Sequence, residues 1–174
     1  LRATDVSRGD ATLPLFAPLE EIGLGVEADD RVREALLSGR LQRALVFEAF
    51  LSGNANKFTL SVARSVTEQF SREFTPFYIY GDVGVGKTHL LHATGNSCHA
   101  RGLSVLYVSS EEFTNDMITA IRTHTTQAFR EKYRSIDVLL IDDIQFIAGK
   151  ESTQEEFFHT FNTLHGHNKQ VVIT

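Results

Sequence analysis

A doubly wound α/β sheet is the fold class predicted by the 174-residue sequence, and three features predict it. Four short runs, at residues 77–80, 105–108, 138–141 and 171–173, are almost uninterrupted in apolar side chains, as strands covered on both faces of a parallel sheet are. The stretches between them carry helical periodicity, so strand and helix alternate along the chain. A glycine-rich loop closing on Lys87 and Thr88 directly follows the first run, at the strand-to-helix step from which right-handed crossovers are wound.

Residues 1–40 read as a linker. Pro14, Pro18, Gly23 and Gly25 interrupt any periodicity, Glu27, Asp29 and Asp30 form an acidic patch, and one short helix is predicted over residues 30–37. The compact domain is expected over residues 41–174. Asn56 is placed to cap a helix in which Phe58, Val62, Val66 and Phe70 recur every four residues, an apolar stripe for the core. Phe77-Tyr78-Ile79-Tyr80 reads as a buried strand ending at Gly81. Further along, a helix over residues 153–164 sets Phe157, Phe158, Phe161 and Leu164 on one face.

Hydrophobic residues at 42% and charged residues at 22% are the proportions of a globular chain and exclude wholesale disorder or a fibrous repeat. Seventeen Lys and Arg against twenty-two Asp and Glu give a net charge of −5. That balance excludes a surface that is basic throughout, so any nucleic-acid site must be local. Cys98 is the single cysteine and cannot form an internal disulfide, and no apolar stretch approaches the ~20 residues of a membrane span. A cytoplasmic setting is expected, with lipid contact left open. Leu1 in place of a methionine and the stop at Thr174 read as the ends of a piece of a longer protein.

Gly81-Asp82-Val83-Gly84-Val85-Gly86-Lys87-Thr88 fits G-x-x-x-x-G-K-[ST] between a strand and a helix. Glycines let the backbone bend so that successive N–H groups and the helix N-terminus face a polyphosphate. Lys87 is expected to reach the β and γ phosphates, the Thr88 hydroxyl to ligate magnesium, and His89 to join the nucleotide contacts. The competing reading is a glycine-rich turn. Asp142 and Asp143 directly follow the apolar run 138–141, the Walker B pattern. A parallel strand delivers such carboxylates to the sheet edge where the phosphate loop lies. Asp142 is expected on the magnesium side, and Asp143 as the catalytic group that orients or deprotonates the attacking water. The competing reading is two solvated acids.

His165 and His167 sit two apart and His89, His92 and His99 cluster on one segment, but no Cys or carboxylate completes a recognisable ligand set, and ordinary histidines are expected. Cys98 is expected to pack rather than react. In the stretch 122–134, Arg130, Lys132 and Arg134 interleave with Phe129 and Tyr133, which fits a nucleic-acid face or a solvated helix.

The stretches "GVGKTHLLHATGN", "YVSSEEFTNDMI", "FREKYRSIDVLLIDDIQFIAGKESTQEEFFHTFN" and "NKQVVIT" resemble one family, the bacterial chromosomal replication initiators, within their AAA+ ATPase module. The resemblance runs from about Leu41 to Thr174. Phe47-Glu48-Ala49-Phe50-Leu51-Ser52-Gly53 looks like the family's F-x-x-F-V-x-G segment, with Leu51 where Val is usual, which places Phe50 and Leu51 against the adenine. The resemblance implies a P-loop NTPase of AAA+ type, ATP with Mg2+, and sheet order 5-1-4-3-2 cut before strand 5. It also implies a helical pair inserted at about Glu111 to Arg134. It implies origin DNA, double- and single-stranded, as partner, ATP-dependent self-association into a filament through AAA+ modules, the replicative helicase as a further partner, and slow ATP hydrolysis acting as a switch. The sensor I residue, arginine finger, fifth strand, lid and C-terminal helix-turn-helix would all follow Thr174, so hydrolysis by these residues alone is expected to be impaired.

In the same resemblance, Ile118 falls at an apolar position and Lys150 at a basic one along the path of single-stranded DNA, while Ser152 stands where some members carry a second basic residue. Two other readings compete. A helicase loader of the same superfamily acts on the replicative helicase, though "FFHTFN" and "DDIQF" favour the initiator. A small-molecule kinase with a phosphate loop predicts an acceptor pocket and a lid.

Overall fold

The structure, a computed structural model, describes residues 40–68 and 75–174. Residues 1–39 of the predicted linker, the helix at 30–37 and Phe70 lie outside the described residues. Helix α1 (Lys57–Glu68) leads to strand β1 (Phe77–Tyr78), helix α2 (Lys87–Ala100) and strand β2 (Val105–Ser109). Helices α3 (Ser110–Arg122) and α4 (Thr126–Arg134) precede β3 (Val138–Asp142), α5 (Glu151–Gly166) and β4 (Gln170–Ile173). Short 3-10 turns occupy Phe47–Ala49 and Ile144–Ile147.

The four strands form one parallel sheet of order β1-β4-β3-β2, the described part of the expected arrangement. Successive strand residues feed opposite layers, which is why the runs read as continuously apolar. Leu106, Val108, Leu139, Ile141, Val171 and Ile173 pack with α3, α4 and α5. Val105, Val138, Leu140 and Val172 pack with α1, α2 and the opening segment through Leu41, Phe47, Val66 and Leu91.

The inserted helical pair is α3 and α4. Ser109 starts it with a capping box: its hydroxyl accepts from the Glu112 N–H at 3.1 Å, and the Glu112 carboxylate accepts from the Ser109 N–H at 3.2 Å. Phe113 anchors the pair, edge-on to Phe129, Tyr133 and Phe157. Phe129 and Tyr133 are therefore core residues. Lys132 pairs with Asp116 at 2.6 Å, and Arg134 and Arg130 share Glu156 at 2.7 and 3.6 Å. The interleaved basic and aromatic residues are thus divided between ion pairs and the core.

Three local expectations need correction. Strand β1 is two residues long, extended only by the Ile79 N–H donating to the Ile173 carbonyl at 2.8 Å. Tyr78 and Tyr80 are 51% and 82% exposed rather than buried. Among the described residues β1 pairs only with β4, and Phe77 and Ile79 alone turn toward the helix layer. In α1, Phe58 is 80% exposed, and the buried face is Ala63, Val66 and Thr67. Steps of four residues drift by about 40° each at 3.6 residues per turn, which carries Phe58 off the face that Val66 buries. Asn56 precedes that helix and accepts the first helical bond at its carbonyl, but its side chain turns back to the Gly53 N–H and the Leu51 carbonyl. In α5, Phe158 is exposed beside the buried line of Thr153, Thr160 and Leu164. Leu164 is fully buried, while Phe157 and Phe161 are half-buried against the core.

Candidate functional site

All four parallel strands end at one edge, and the loop after β1 wraps the N-terminus of α2 there. Gly84 and Gly86 adopt φ +83 and +93, left-handed conformations that cost an L side chain ~1–2 kcal/mol. At Gly86 the space is also taken: a Cβ would lie 2.9 Å from Phe50 Cε2. Phe50 stands edge-on to His89, with ring centres 5.3 Å apart, so the opening segment closes against the loop and the first turn of α2. His89 Nε2 meets the Val46 carbonyl at 2.9 Å and helps fix that closure. Leu51, in contrast, is 90% exposed. Lys87 crosses the loop and donates to the Gly81 and Asp82 carbonyls, both at 2.9 Å. Thr88 follows it in the first turn of α2.

Two strands over, β3 brings Asp142 and Asp143 to the same edge. Asp142 is buried, yet among the described residues no Lys or Arg pairs with it. Its carboxylate is instead held by hydroxyls, Tyr107 donating to Oδ2 at 3.0 Å and Thr174 to Oδ1. Burial first, and then the Asp142 charge and hydrogen bond, push the Tyr107 phenol well up, so it remains a donor. Asp143 adopts φ +56 and ψ +53, held by Ser110 Oγ donating to its carbonyl at 2.5 Å and by its N–H donating to Thr174 Oγ1 at 3.0 Å. Gln145 donates to its Oδ1 at 3.0 Å. An aspartate kept left-handed by its neighbours is a feature of functional sites.

Tyr107, Ser110 and Thr174 were not singled out from the sequence. For Tyr107 and Ser110 the signal is strand register, which sets Tyr107 beside Leu140 and Ser109 beside Asp142.

His92 is buried, and that burial holds its pKa below the usual value despite nearby Asp142. The Gln42 N–H donates to its Nδ1 at 3.3 Å, and its ring packs on Tyr107 at 4.1 Å between centres. Cys98 packs fully buried in α2, its thiol pushed up to about 12 by burial. Ile118, 40% exposed on α3, lies on the helix that packs against the turn Ile144–Ile147. Lys150 is exposed just beyond that turn, after Gly149 at φ +77, and Ser152 is exposed in the first turn of α5. Ile121 and Phe146, not singled out from the sequence, are also exposed, at 52% and 56%.

The family model described as the bacterial DnaA ATPase domain matches residues 41–174. The chain belongs to this family. The chromosomal replication initiator protein DnaA of Chloroflexus aurantiacus is 54% identical over 142 residues, covering 80% of this chain and 30% of that protein. The structure of AMPPCP-bound DnaA from Aquifex aeolicus has a TM-score of 0.74 at 41% identity, covering 77% of this chain and 42% of that one. A replication initiator DnaA bound to AMPPCP and single-stranded DNA has a TM-score of 0.73 at 40% identity, over the same shares of both chains. The chain therefore spans less than half the length of these DnaA relatives.

Proposed function

We propose that this chain is the nucleotide-binding part of an ATP-dependent chromosomal replication initiator that binds origin DNA, assembles with copies of itself and opens the duplex. The observation that carries the reading is one sheet edge holding both a glycine cradle with Lys87 and a buried carboxylate that pairs with no Lys or Arg among the described residues, in a chain of the DnaA family. The loop N–H groups and Lys87 hold the β and γ phosphates, Lys87 exchanging the Gly81 and Asp82 carbonyls for phosphate oxygens. Phe50 and His89 border the base, with Leu51 alongside, so nucleotide occupancy is felt by the opening segment.

Mg2+ suits the donor set: the Asp142 charge is buried without a cationic partner among the described residues, and Thr88 adds a hard oxygen. When bound, magnesium offsets the phosphate charge. Asp142 and Thr88 are the residues that would hold it, and Asp143 would orient the water and take its proton at the carboxylate. Hydrolysis is slow and resets an assembly switch.

Single-stranded DNA runs beside Ile118 and Lys150, which the packing of α3 on the Ile144–Ile147 turn brings to neighbouring elements. A DnaA relative bound to single-stranded DNA supports single-stranded DNA as the partner. With Ser152 in place of a second basic residue, each subunit contributes little, and affinity comes from assembly along one strand. Fluorescence anisotropy with a labelled thymine-rich strand, ATP and magnesium tests this in the full-length protein. Ile118→Ala and Lys150→Ala should each weaken binding, and Lys150→Ala should lower the salt slope by about one. Unchanged binding by both, with the fold intact by circular dichroism, refutes the DNA path. Loss of nucleotide dependence in the wild type refutes the switch.

A further inference from the structure

Both carboxylate oxygens of Asp142 are occupied by hydroxyl donors, and one of those donors has no packing reason to be there. Tyr107 lies on β2 opposite Leu140, its ring covered by His92 of α2. A phenylalanine would fill that space equally well. The hydroxyl instead donates to Asp142 Oδ2 at 3.0 Å, a contact that a phenylalanine could not make. His92 is in turn fixed by the Gln42 N–H, so its ring limits how far the Tyr107 ring can swing. A carboxylate with one oxygen tied by Thr174 and the other by Tyr107 has a fixed plane, leaving the remaining lone pairs in set directions.

We propose that Tyr107 is a positioning residue of the nucleotide site, its phenol setting the orientation in which Asp142 faces Mg2+. This rests on the nucleotide reading above and deepens it. Partners that orient a ligating carboxylate typically change metal affinity ~10–100-fold when removed. A packing role would leave magnesium dependence untouched.

The test titrates ATP into the full chain by calorimetry, in EDTA and at a series of magnesium concentrations, for wild type and Tyr107→Phe. The magnesium concentration that gives half of the gain in ATP affinity should rise about 10-fold in Tyr107→Phe. Affinity in EDTA should stay within about twofold, well short of the ~10-fold effect expected of an orienting partner. An unchanged magnesium requirement overturns the proposal, as does an equal loss with and without magnesium. A wild type whose ATP binding ignores magnesium refutes the nucleotide reading itself, a different outcome. If Tyr107→Phe does not fold, 3-fluorotyrosine is incorporated into the wild type. The resonance of position 107 is then assigned by replacing Tyr78, Tyr80 and Tyr133 in turn. It should shift when magnesium is added to the ATP complex, and a resonance that does not move overturns the proposal.

Discussion

Gly95→Ala sets two effects of opposite sign against each other at one buried position. Gly95 lies inside α2 with helical backbone, so alanine removes the entropic cost of a glycine and stabilises the helix by up to ~1 kcal/mol. The added Cβ, however, would lie 2.5 Å from Leu140 Cδ1 and 2.7 Å from Leu41 Cδ2. Carbon atoms sit well at about 3.5–4.0 Å, so both contacts overlap by about 1 Å. Leu140 is fully buried in β3 and Leu41 is 6% exposed, so neither moves without displacing others. Overpacking of this kind costs ~1–3 kcal/mol, and the net expectation is a loss of ~1–2 kcal/mol. For a domain of this size that lowers the melting temperature by about 2–8 °C. Thermal and urea unfolding measure it. The cost should shrink in a chain already carrying Leu140→Val, because the two sites share one contact. A variant as stable as the wild type, or more stable, would show that the helix and sheet do not approach as closely as Gly95 implies.

Asp142→Asn and Asp143→Asn should behave differently. The first should weaken ATP binding only when magnesium is present, and the second should preserve binding while lowering turnover, since an amide cannot take the water's proton. Calorimetry paired with phosphate release separates them, and identical behaviour would undo the division of roles. At the opposite end of the sheet, burial works to raise the Asp137 carboxyl, but the Lys169 ammonium and the Ser104 N–H and hydroxyl together hold it below 3.8. A depressed carboxyl stabilises the fold above its ordinary pKa, and that contribution fades as pH falls through the folded value. Asp137→Asn should therefore cost stability at neutral pH and progressively less below pH 3.8, as urea midpoints across that range would show. A cost independent of pH would assign Asp137 a role in packing alone.

Much of the architecture is written locally. Strands with both faces covered must be apolar throughout, so β2, β3 and β4 are visible as runs. The phosphate loop and the paired acids are contiguous, so they are legible wherever strand and helix alternate. The capping box at Ser109 is equally local. Local pattern failed where a side chain's fate depends on what lies beside it. Phe58, Phe158, Tyr78 and Tyr80 are apolar or aromatic residues at helical or strand spacing, yet each is exposed. The stretch 122–134 failed in the other direction, its aromatics going to the core and Arg130, Lys132 and Arg134 to Asp116 and Glu156.

The strand and helix inventory and the motif residues from Gly81 to Thr88, together with Asp142 and Asp143, follow from the order of residues, because each depends on neighbours a few positions away. What surrounds Asp142 depends on contacts distant in the chain. Tyr107 and Thr174 are 35 and 32 residues from it, and they meet it because β2 and β4 flank β3. Strand order places those hydroxyls, and it is set by how two helical layers cover the sheet rather than by any local preference. The carboxylate's charge is a property of the residue. Its orientation, its isolation from cations and its burial belong to the assembled sheet.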